Sequence, residues 1–218
     1  MQDIQSTKTH DLNQGCTIWF TGLSGAGKST LSGALKRKLD IDLGDNKKVF
    51  ILDGDIIRTG LNKDLGFSAE DRAENIRRIS EVAKLFALAG QICFVAFISP
   101  YEKDRDFART IHKEAGIPFV ECHIAASLEV CEQRDVKGLY AKARAGIIKN
   151  FTGISDPYEA PSKPELKIET GSKTIDECIA EVKEYLKGRQ IIEDLADSAR
   201  KMSGQHSATS EPGITADQ

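Results

Sequence analysis

The sequence predicts an α/β fold in which helices cover both faces of a parallel β-sheet. Short apolar runs alternate with stretches of helical periodicity through most of the chain, a pattern typical of strand–helix–strand units. The run 92–98 is apolar almost throughout, which indicates a central strand buried on both faces. The first apolar run leads into a glycine-rich turn and then a helical pattern. The sequence therefore favours one sheet with helices between successive strands.

The elements follow in order along the chain. Apolar runs predict five strands, at 16–20, 49–52, 92–98, 119–124 and 166–169. Helices are predicted at 28–39 and 68–89, after Pro100, from about Ser127, and from Thr174 to Leu186. The pairs Ser68–Asp71 and Thr174–Glu177 resemble capping boxes at the start of two of these helices.

Three regions are predicted. Residues 1–13 are polar and aperiodic, and we expect them to be disordered. Residues 14–188 form the folded domain, with a basic, glycine- and proline-containing insertion at about 135–164 that is predicted to be a mobile lid. Residues 189–218 are predicted to be a polar and largely disordered tail.

Composition excludes several classes of protein. A net charge of −3 gives no global attraction to nucleic acid or to anionic lipid. The five cysteines are odd in number and contain no CxxC pair, which argues against a disulfide framework and a zinc site. No apolar run approaches the roughly 20 residues of a membrane helix, and the N-terminus lacks a secretory signal pattern. We therefore expect a cytoplasmic protein without nucleic-acid or membrane partners.

The glycine-rich turn matches the phosphate-binding pattern G-x-x-x-x-G-K-[ST]. Its glycines let backbone N–H groups face phosphate oxygens, and the following helix adds its positive N-terminus. Lys28 can reach the terminal phosphates, and the Ser29 hydroxyl can ligate Mg²⁺. The sequence therefore predicts a site for a nucleoside triphosphate and Mg²⁺. The residues predicted to hold the nucleotide are Gly22, Ser24, Gly25, Ala26, Gly27, Lys28, Ser29 and Thr30.

Two further features separate a switch protein from a kinase. Asn62-Lys63-Asp64-Leu65 does not match the N-K-x-D motif of a GTPase. Asp53-Gly54-Asp55 follows the second strand, and the carboxyl ends of parallel strands open onto a shared crevice. Asp55 could therefore face the phosphate loop and orient a hydroxyl nucleophile or hold metal-bound water, although a plain turn would give the same triplet.

Basic residues cluster beyond this triplet. They are Arg58, Arg72 and Arg78, with Asn75 among them. Arg72, Asn75 and Arg78 lie near one face of the predicted helix. A solvated basic face is the ordinary explanation for such a run. At the mouth of a phosphate site, it also suits an anionic acceptor. The residues alone indicate a kinase of a small phosphorylated or sulfated molecule.

A set of sequence blocks resembles the adenylylsulfate (adenosine 5′-phosphosulfate, APS) kinase family from about Gly15 to Leu186. The blocks are 52–58, 60–68, 71–72, 74–78, 81–86, 97–101, 104–106, 131–135, 137–140 and 151–154. The resemblance implies a P-loop kinase fold and a homodimer. It also implies transfer of the γ-phosphoryl group of MgATP to the 3′-hydroxyl of APS in sulfate activation, which gives 3′-phosphoadenosine 5′-phosphosulfate (PAPS) and ADP.

The resemblance also implies roles for particular residues. Asp55 and Lys28 would be catalytic, Ser29 and (through water) Asp55 would hold the metal, and Lys137 would close over the phosphates from the lid. Phe67 would stack on the adenine of APS. The residues that it places around APS are Asp55, Arg58, Phe67, Arg72, Asn75, Ile98, Ser99, Lys137 and Phe151.

Some positions depart from the family pattern and leave alternatives open. Ile56 replaces the asparagine of Asp-Gly-Asp-Asn, and Ala96, Ala141 and Ile147 are further departures. Two other functions are compatible with the residues: a kinase of another small nucleotide, or a weakly active nucleotide-binding regulatory subunit. A phosphorylated Ser99 intermediate is an alternative to direct transfer.

Overall fold

The computed structural model describes residues 15–44 and 48–192. Within these ranges one sheet contains five parallel strands in the order β2-β3-β1-β4-β5. The strands are β1 (Cys16–Thr21), β2 (Val49–Asp53), β3 (Ile92–Ala96), β4 (Phe119–Ile124) and β5 (Leu166–Ile168). The predicted parallel sheet is confirmed.

The helices are α1 (Lys28–Leu43), α2 (Gly54–Ile57), α3 (Ala69–Leu88), α4 (Glu102–Glu114), α5 (Leu128–Arg134), α6 (Leu139–Arg144) and α7 (Ile175–Gly188). The sequence does not predict α2, because four residues carry no helical periodicity. Asp53 caps this helix by accepting a hydrogen bond from the backbone N–H of Asp55. Of the capping box predicted at Ser68, only the hydrogen bond from the backbone N–H of Asp71 to the Ser68 side chain forms. Thr174 and Glu177 form both hydrogen bonds of their capping box.

Helices cover both faces of the sheet, as predicted. On β1, Ile18 and Phe20 belong to the core that α1 and α7 complete, whereas Trp19 packs into the core formed with α3. The apolar stripe of α3 buries Ile76 and Ile79 against that second face. Burying each such side chain contributes about 1.5–3 kcal/mol to folding, which holds α3 against this face of the sheet.

The strand register brings the carboxyl ends of three strands to one level. Phe20 on β1 and Asp53 on β2 both align with Ala96 on β3. The predicted strand 92–98 ends at Ala96 instead of Ile98, because the chain turns there and Ser99 adopts a left-handed φ of 42°. The phosphate loop, the Asp53 turn and the segment after β3 therefore meet at the same edge.

The ends of the predicted domain lie partly outside the described residues. Ile191 and Ile192, past the predicted boundary at 188, are buried in the core cluster. Residues 1–13 and 193–218, predicted to be disordered, lie outside the described ranges. In the part of the chain that the structure describes, no helix is long and apolar enough to cross a membrane.

Candidate active site

A cavity of about 720 Å³ opens at the carboxyl edge of the sheet. Every residue that the sequence predicts to bind nucleotide, acceptor or metal lines it, except Gly22 and Ala26. The N–H groups of those two donate to the carbonyls of Ile98 and Leu23, at 3.4 and 3.1 Å, so they shape the loop from within. The structure thus gathers residues from four separate regions of the sequence, at 24–30, 55–75, 98–99 and 137–151, around one space.

The phosphate loop uses conformations that only glycine adopts without strain. Gly25 and Gly27 have φ values of 76° and 104°, and Gly27 is the N-cap of α1. A Cβ on Gly22 would lie 2.6 Å from the carbonyl oxygen of Ile124, too close for any side chain. The N-terminus of the 16-residue helix α1 therefore lies at the loop, where it favours anionic phosphate.

Lys28 lies within this loop and contacts its backbone. The Nζ of Lys28 donates hydrogen bonds to the carbonyls of Gly22 and Leu23, at 2.8 and 2.7 Å. Burial lowers the pKa of Lys28 to about 8, because the charged form loses hydration. The group is therefore a cation at neutral pH that is poorly solvated and gains from a bound anion.

Two carboxylates lie beside the loop. The hydroxyl of Ser29 donates to Oδ2 of Asp53 at 2.6 Å, whereas the carboxylate of Asp55 pairs with the lid residue Lys137. Asp53, not Asp55, is therefore the carboxylate in direct contact with the predicted metal ligand. The sequence analysis missed this role, although the Asp53-Gly54-Asp55 triplet carried the signal.

This donor set fits Mg²⁺. Within 15–44 and 48–192, no group of three histidine, cysteine, aspartate or glutamate residues could hold a metal alone. One hydroxyl and one or two carboxylates are the usual protein share of a magnesium site in which phosphates and water supply the other ligands.

The acceptor side of the cavity is basic. Arg72 is buried, and it donates to the carbonyls of Phe67 and Asn150 at 3.1 and 2.9 Å, which joins α3 to the lid. The guanidinium of Arg58 lies 4.3 Å from the centre of the Phe67 ring. Burial and the neighbouring Arg72 lower the pKa of Arg58. Two arginines so close together favour an anionic ligand between them.

Arg78 belongs to the surface instead. It pairs with Asp64 through two hydrogen bonds of 2.8 Å and with Glu74 through another. It does not line the cavity. The solvated-face explanation is therefore correct for this member of the predicted basic cluster.

The segment predicted to be a lid also lines the cavity. The hydroxyl of Tyr140 donates to the carbonyl of Ser24 at 2.9 Å, and its ring contacts Phe151 edge to face at 5.0 Å. Phe151 is buried, whereas Phe67 is more than half exposed. Both aromatic rings line the cavity.

Arg134 at the end of α5 is a site residue that the sequence analysis missed. Its guanidinium donates to the carbonyls of Gly25 and Thr170, at 3.2 and 2.6 Å, and it lines the cavity. Thr170 in turn donates to the carbonyl of Ala26 at 2.6 Å. No spacing rule connects these residues to the loop, because the contacts span more than 100 positions.

Ser99 lies under the acceptor side. Its side chain is buried, and its hydroxyl accepts a hydrogen bond of 3.1 Å from Nε1 of Trp19. Its carbonyl accepts one of 2.7 Å from the buried Arg105, which also pairs with Glu121. The strained Ser99 backbone is thus held from two sides.

A phosphate loop with an apposed basic and aromatic acceptor wall defines the class of protein: a P-loop small-molecule kinase. The family model for adenylylsulphate kinase matches residues 14–169. The chain belongs to the adenylylsulfate kinase family.

Relatives agree with this assignment. The adenylyl-sulfate kinase of Saccharomyces cerevisiae is 60% identical over 178 residues, which cover 82% of this chain and 87% of the relative. The structure of the Mycobacterium tuberculosis APS kinase CysC in complex with AMPPNP and APS is similar, with a TM-score of 0.76 and 49% identity over 80% of this chain and 98% of that one. The hexameric APS kinase from Thiobacillus denitrificans is similar with a TM-score of 0.63 and 36% identity, over 83% of this chain and 30% of that one.

Proposed function

We propose that this chain transfers the γ-phosphoryl group of MgATP to the 3′-hydroxyl of APS, giving PAPS and ADP. The observation that carries the proposal is a single cavity that joins the phosphate loop to the wall containing Arg58 and Arg72. Membership of the adenylylsulfate kinase family supports the identity of both substrates.

On the nucleotide side, the loop N–H groups and the N-terminus of α1 would bind the phosphates of ATP. Lys28 would neutralise charge that develops on the transferred group. When bound, Mg²⁺ would neutralise phosphate charge, and Ser29 and Asp53, with Asp55 through water, are the residues that would hold it. Arg134 would fix the loop by holding its carbonyls away from the phosphates.

On the acceptor side, Arg58, Arg72 and Asn75 would hold the phosphosulfate and ribose of APS. The rings of Phe67 and Phe151 would contact the two faces of its adenine, and Ile98 and Ser99 would line the pocket floor. Positioning two substrates in one cavity accounts for a large part of the rate, because it replaces a bimolecular encounter by an oriented one.

Asp55 would act on the reacting hydroxyl. It would orient the 3′-hydroxyl in line with the γ-phosphorus and accept its proton as the new O–P bond forms and the bond to ADP breaks. Lys137, which pairs with Asp55, would move to the phosphates when both substrates are bound. The lid at about 135–164 would exclude water and so prevent hydrolysis of ATP.

Direct transfer is preferred to a phosphorylated Ser99. Ser99 is 2% exposed, and its hydroxyl accepts a hydrogen bond from Trp19, which disfavours attack by that hydroxyl on a phosphorus atom. Ile56, the departure that kept a regulatory role open, is 69% exposed and does not line the cavity. This substitution therefore gives the regulatory alternative no structural support.

The predicted homodimer stays a prediction, as does the predicted cytoplasmic location. The hexameric relative shows only that one family member assembles.

The test is a coupled assay of ADP release from MgATP with and without APS, on the wild type, Asp55→Ala and the control Asp106→Ala. Asp106 is exposed on α4 and does not line the cavity. We expect APS-dependent release in the wild type and the control, and its loss in Asp55→Ala with ATP binding retained. ADP release that is unaffected by APS would refute the proposal.

A further inference from the structure

Asn62 is a buried amide beside the acceptor cavity. Its side chain is 0% exposed, and the residue does not line the cavity. Its Nδ2 donates a hydrogen bond of 2.8 Å to Oδ1 of Asn75. Asn75 is 5% exposed and does line the cavity, on the same helix as Arg72. Asn62 therefore lies behind the cavity wall and contacts it through the side chain of Asn75.

The two amides can pair in two ways, and they are not equivalent. In the observed pairing, Oδ1 of Asn62 is buried without a partner among the described residues. In the reverse pairing, Asn75 would donate, and the buried Nδ2 of Asn62 would keep its N–H groups unpaired. Buried N–H groups without a partner are rarer in proteins than buried carbonyl groups that are short of partners. Burial of Asn62 therefore favours the observed orientation.

This orientation determines what Asn75 offers to a ligand. The Oδ1 of Asn75 accepts the hydrogen bond from Asn62, so its Nδ2 is the side-chain atom that can donate to a ligand in the cavity. We propose that Asn62 is a positioning residue that presents Asn75 to the acceptor substrate as a hydrogen-bond donor. The ligand group it suits is an oxygen that carries only lone pairs, such as the phosphosulfate oxygens of APS. This inference rests on the proposed function.

The first test compares the KM values of the wild type and Asn62→Leu, in which the donor to Asn75 is lost and the γ-branched shape of the side chain is kept. We expect the KM for APS to rise about 10- to 100-fold, the cost of misdirecting a hydrogen bond to a charged group. The KM for MgATP should stay within about twofold, because Asn62 lies on the acceptor side. Ser80→Ala is the control, since Ser80 is a buried polar residue of α3 that, like Asn62, does not line the cavity.

Asn62→Asp gives a signature that a purely structural role would not produce. An ionised carboxylate accepts hydrogen bonds only, so Asn75 would turn its N–H groups away from the cavity. A protonated carboxyl donates, so the KM for APS of this variant should fall toward the wild-type value as the pH is lowered through the pKa of Asp at position 62. The wild type and Asn62→Leu should lack this step.

A double-mutant cycle tests the route through Asn75. If Asn62 acts by orienting Asn75, then Asn62→Leu should leave the KM for APS unchanged in an Asn75→Leu background. Additive effects in the cycle, or an unchanged KM for APS in Asn62→Leu, would overturn the inference. Folding is followed by the emission of Trp19, the one tryptophan of the chain. Should Asn62→Leu fail to fold, the pH profile of Asn62→Asp decides.

The proposed function and the role of Asn62 can be refuted independently of each other. A wild type that releases no ADP on addition of APS would refute that function. A wild type with APS-dependent turnover and an unperturbed Asn62→Leu would refute only the role of Asn62.

Discussion

Lys28 provides the most quantitative prediction, because its ionisation is coupled to nucleotide binding. Burial lowers its pKa to about 8, and bound phosphates should return the pKa to the ordinary lysine range or above. At about pH 8.5, a group with this pKa is neutral in roughly three quarters of the molecules. Binding of a nucleotide at that pH should therefore take up about 0.7 proton per site.

Isothermal titration calorimetry with Mg²⁺–AMPPNP measures this uptake. The apparent binding enthalpy is recorded in several buffers with different ionisation enthalpies, and the slope gives the number of protons. We expect a slope near 0.7 proton at about pH 8.5 and near zero at about pH 7, where Lys28 is already charged in the free protein.

Lys28→Arg is the matched control, because a guanidinium stays protonated at both pH values. It should show no proton uptake at either pH. A wild-type slope near zero at about pH 8.5 would refute the account, since it would mean that Lys28 is fully charged before the nucleotide binds. The same slope in Lys28→Arg as in the wild type would assign the proton to another group.

The remaining predictions concern four residues. Lys28→Met should abolish turnover yet raise the free energy of unfolding by up to about 3 kcal/mol at neutral pH, because it removes a buried charge. The pKa of Lys28 is lower in the folded state than in the unfolded state, so this gain should disappear as the pH rises from about 8 to 10.5 in denaturation experiments. Asp53→Asn should lower kcat about 100-fold and raise the Mg²⁺ concentration for half-activation, because Ser29 and the metal lose their carboxylate. Arg134→Met should raise the KM for MgATP about 10-fold and leave the KM for APS unchanged, since it frees the loop carbonyls. Ser99→Ala should keep kcat within about threefold in the ADP-release assay, because direct transfer needs no serine nucleophile.

Each of these has a contradicting result. A destabilised Lys28→Met at neutral pH would mean that its two hydrogen bonds outweigh its burial. Unchanged Mg²⁺ activation in Asp53→Asn would remove that carboxylate from the metal site. A raised KM for APS in Arg134→Met would place Arg134 on the acceptor side, and inactivity of a folded Ser99→Ala would revive the covalent route.

The sequence predicted the features that local patterns encode. The phosphate loop is contiguous, so its nine residues specify the turn, the helix start and the cation together. The buried strands and the stripe of α3 are encoded by periodicity in the same way. The acceptor residues came from the family resemblance, and the structure brings them to one cavity.

What the sequence did not predict depends on contacts between distant segments. From the sequence, Asp53 and Asp55 are equally good candidates to contact Ser29, because both follow the same strand. Only the placement of α1 beside β2 selects Asp53 as the partner of Ser29. Arg134 reaches the phosphate loop across 109 positions of sequence. The Asn62–Asn75 pair is joined through a turn that carries no periodic signal. Such contacts follow from tertiary packing, which local patterns do not specify.

The central claim is transfer of the γ-phosphoryl group to the 3′-hydroxyl of APS. The most direct test incubates the wild-type chain with APS, Mg²⁺ and ATP labelled in its γ-phosphorus, and then identifies the labelled product. The account predicts one labelled PAPS for each ADP, with the label on the 3′-oxygen. Label recovered as inorganic phosphate, or on any position of APS other than the 3′-oxygen, would contradict it.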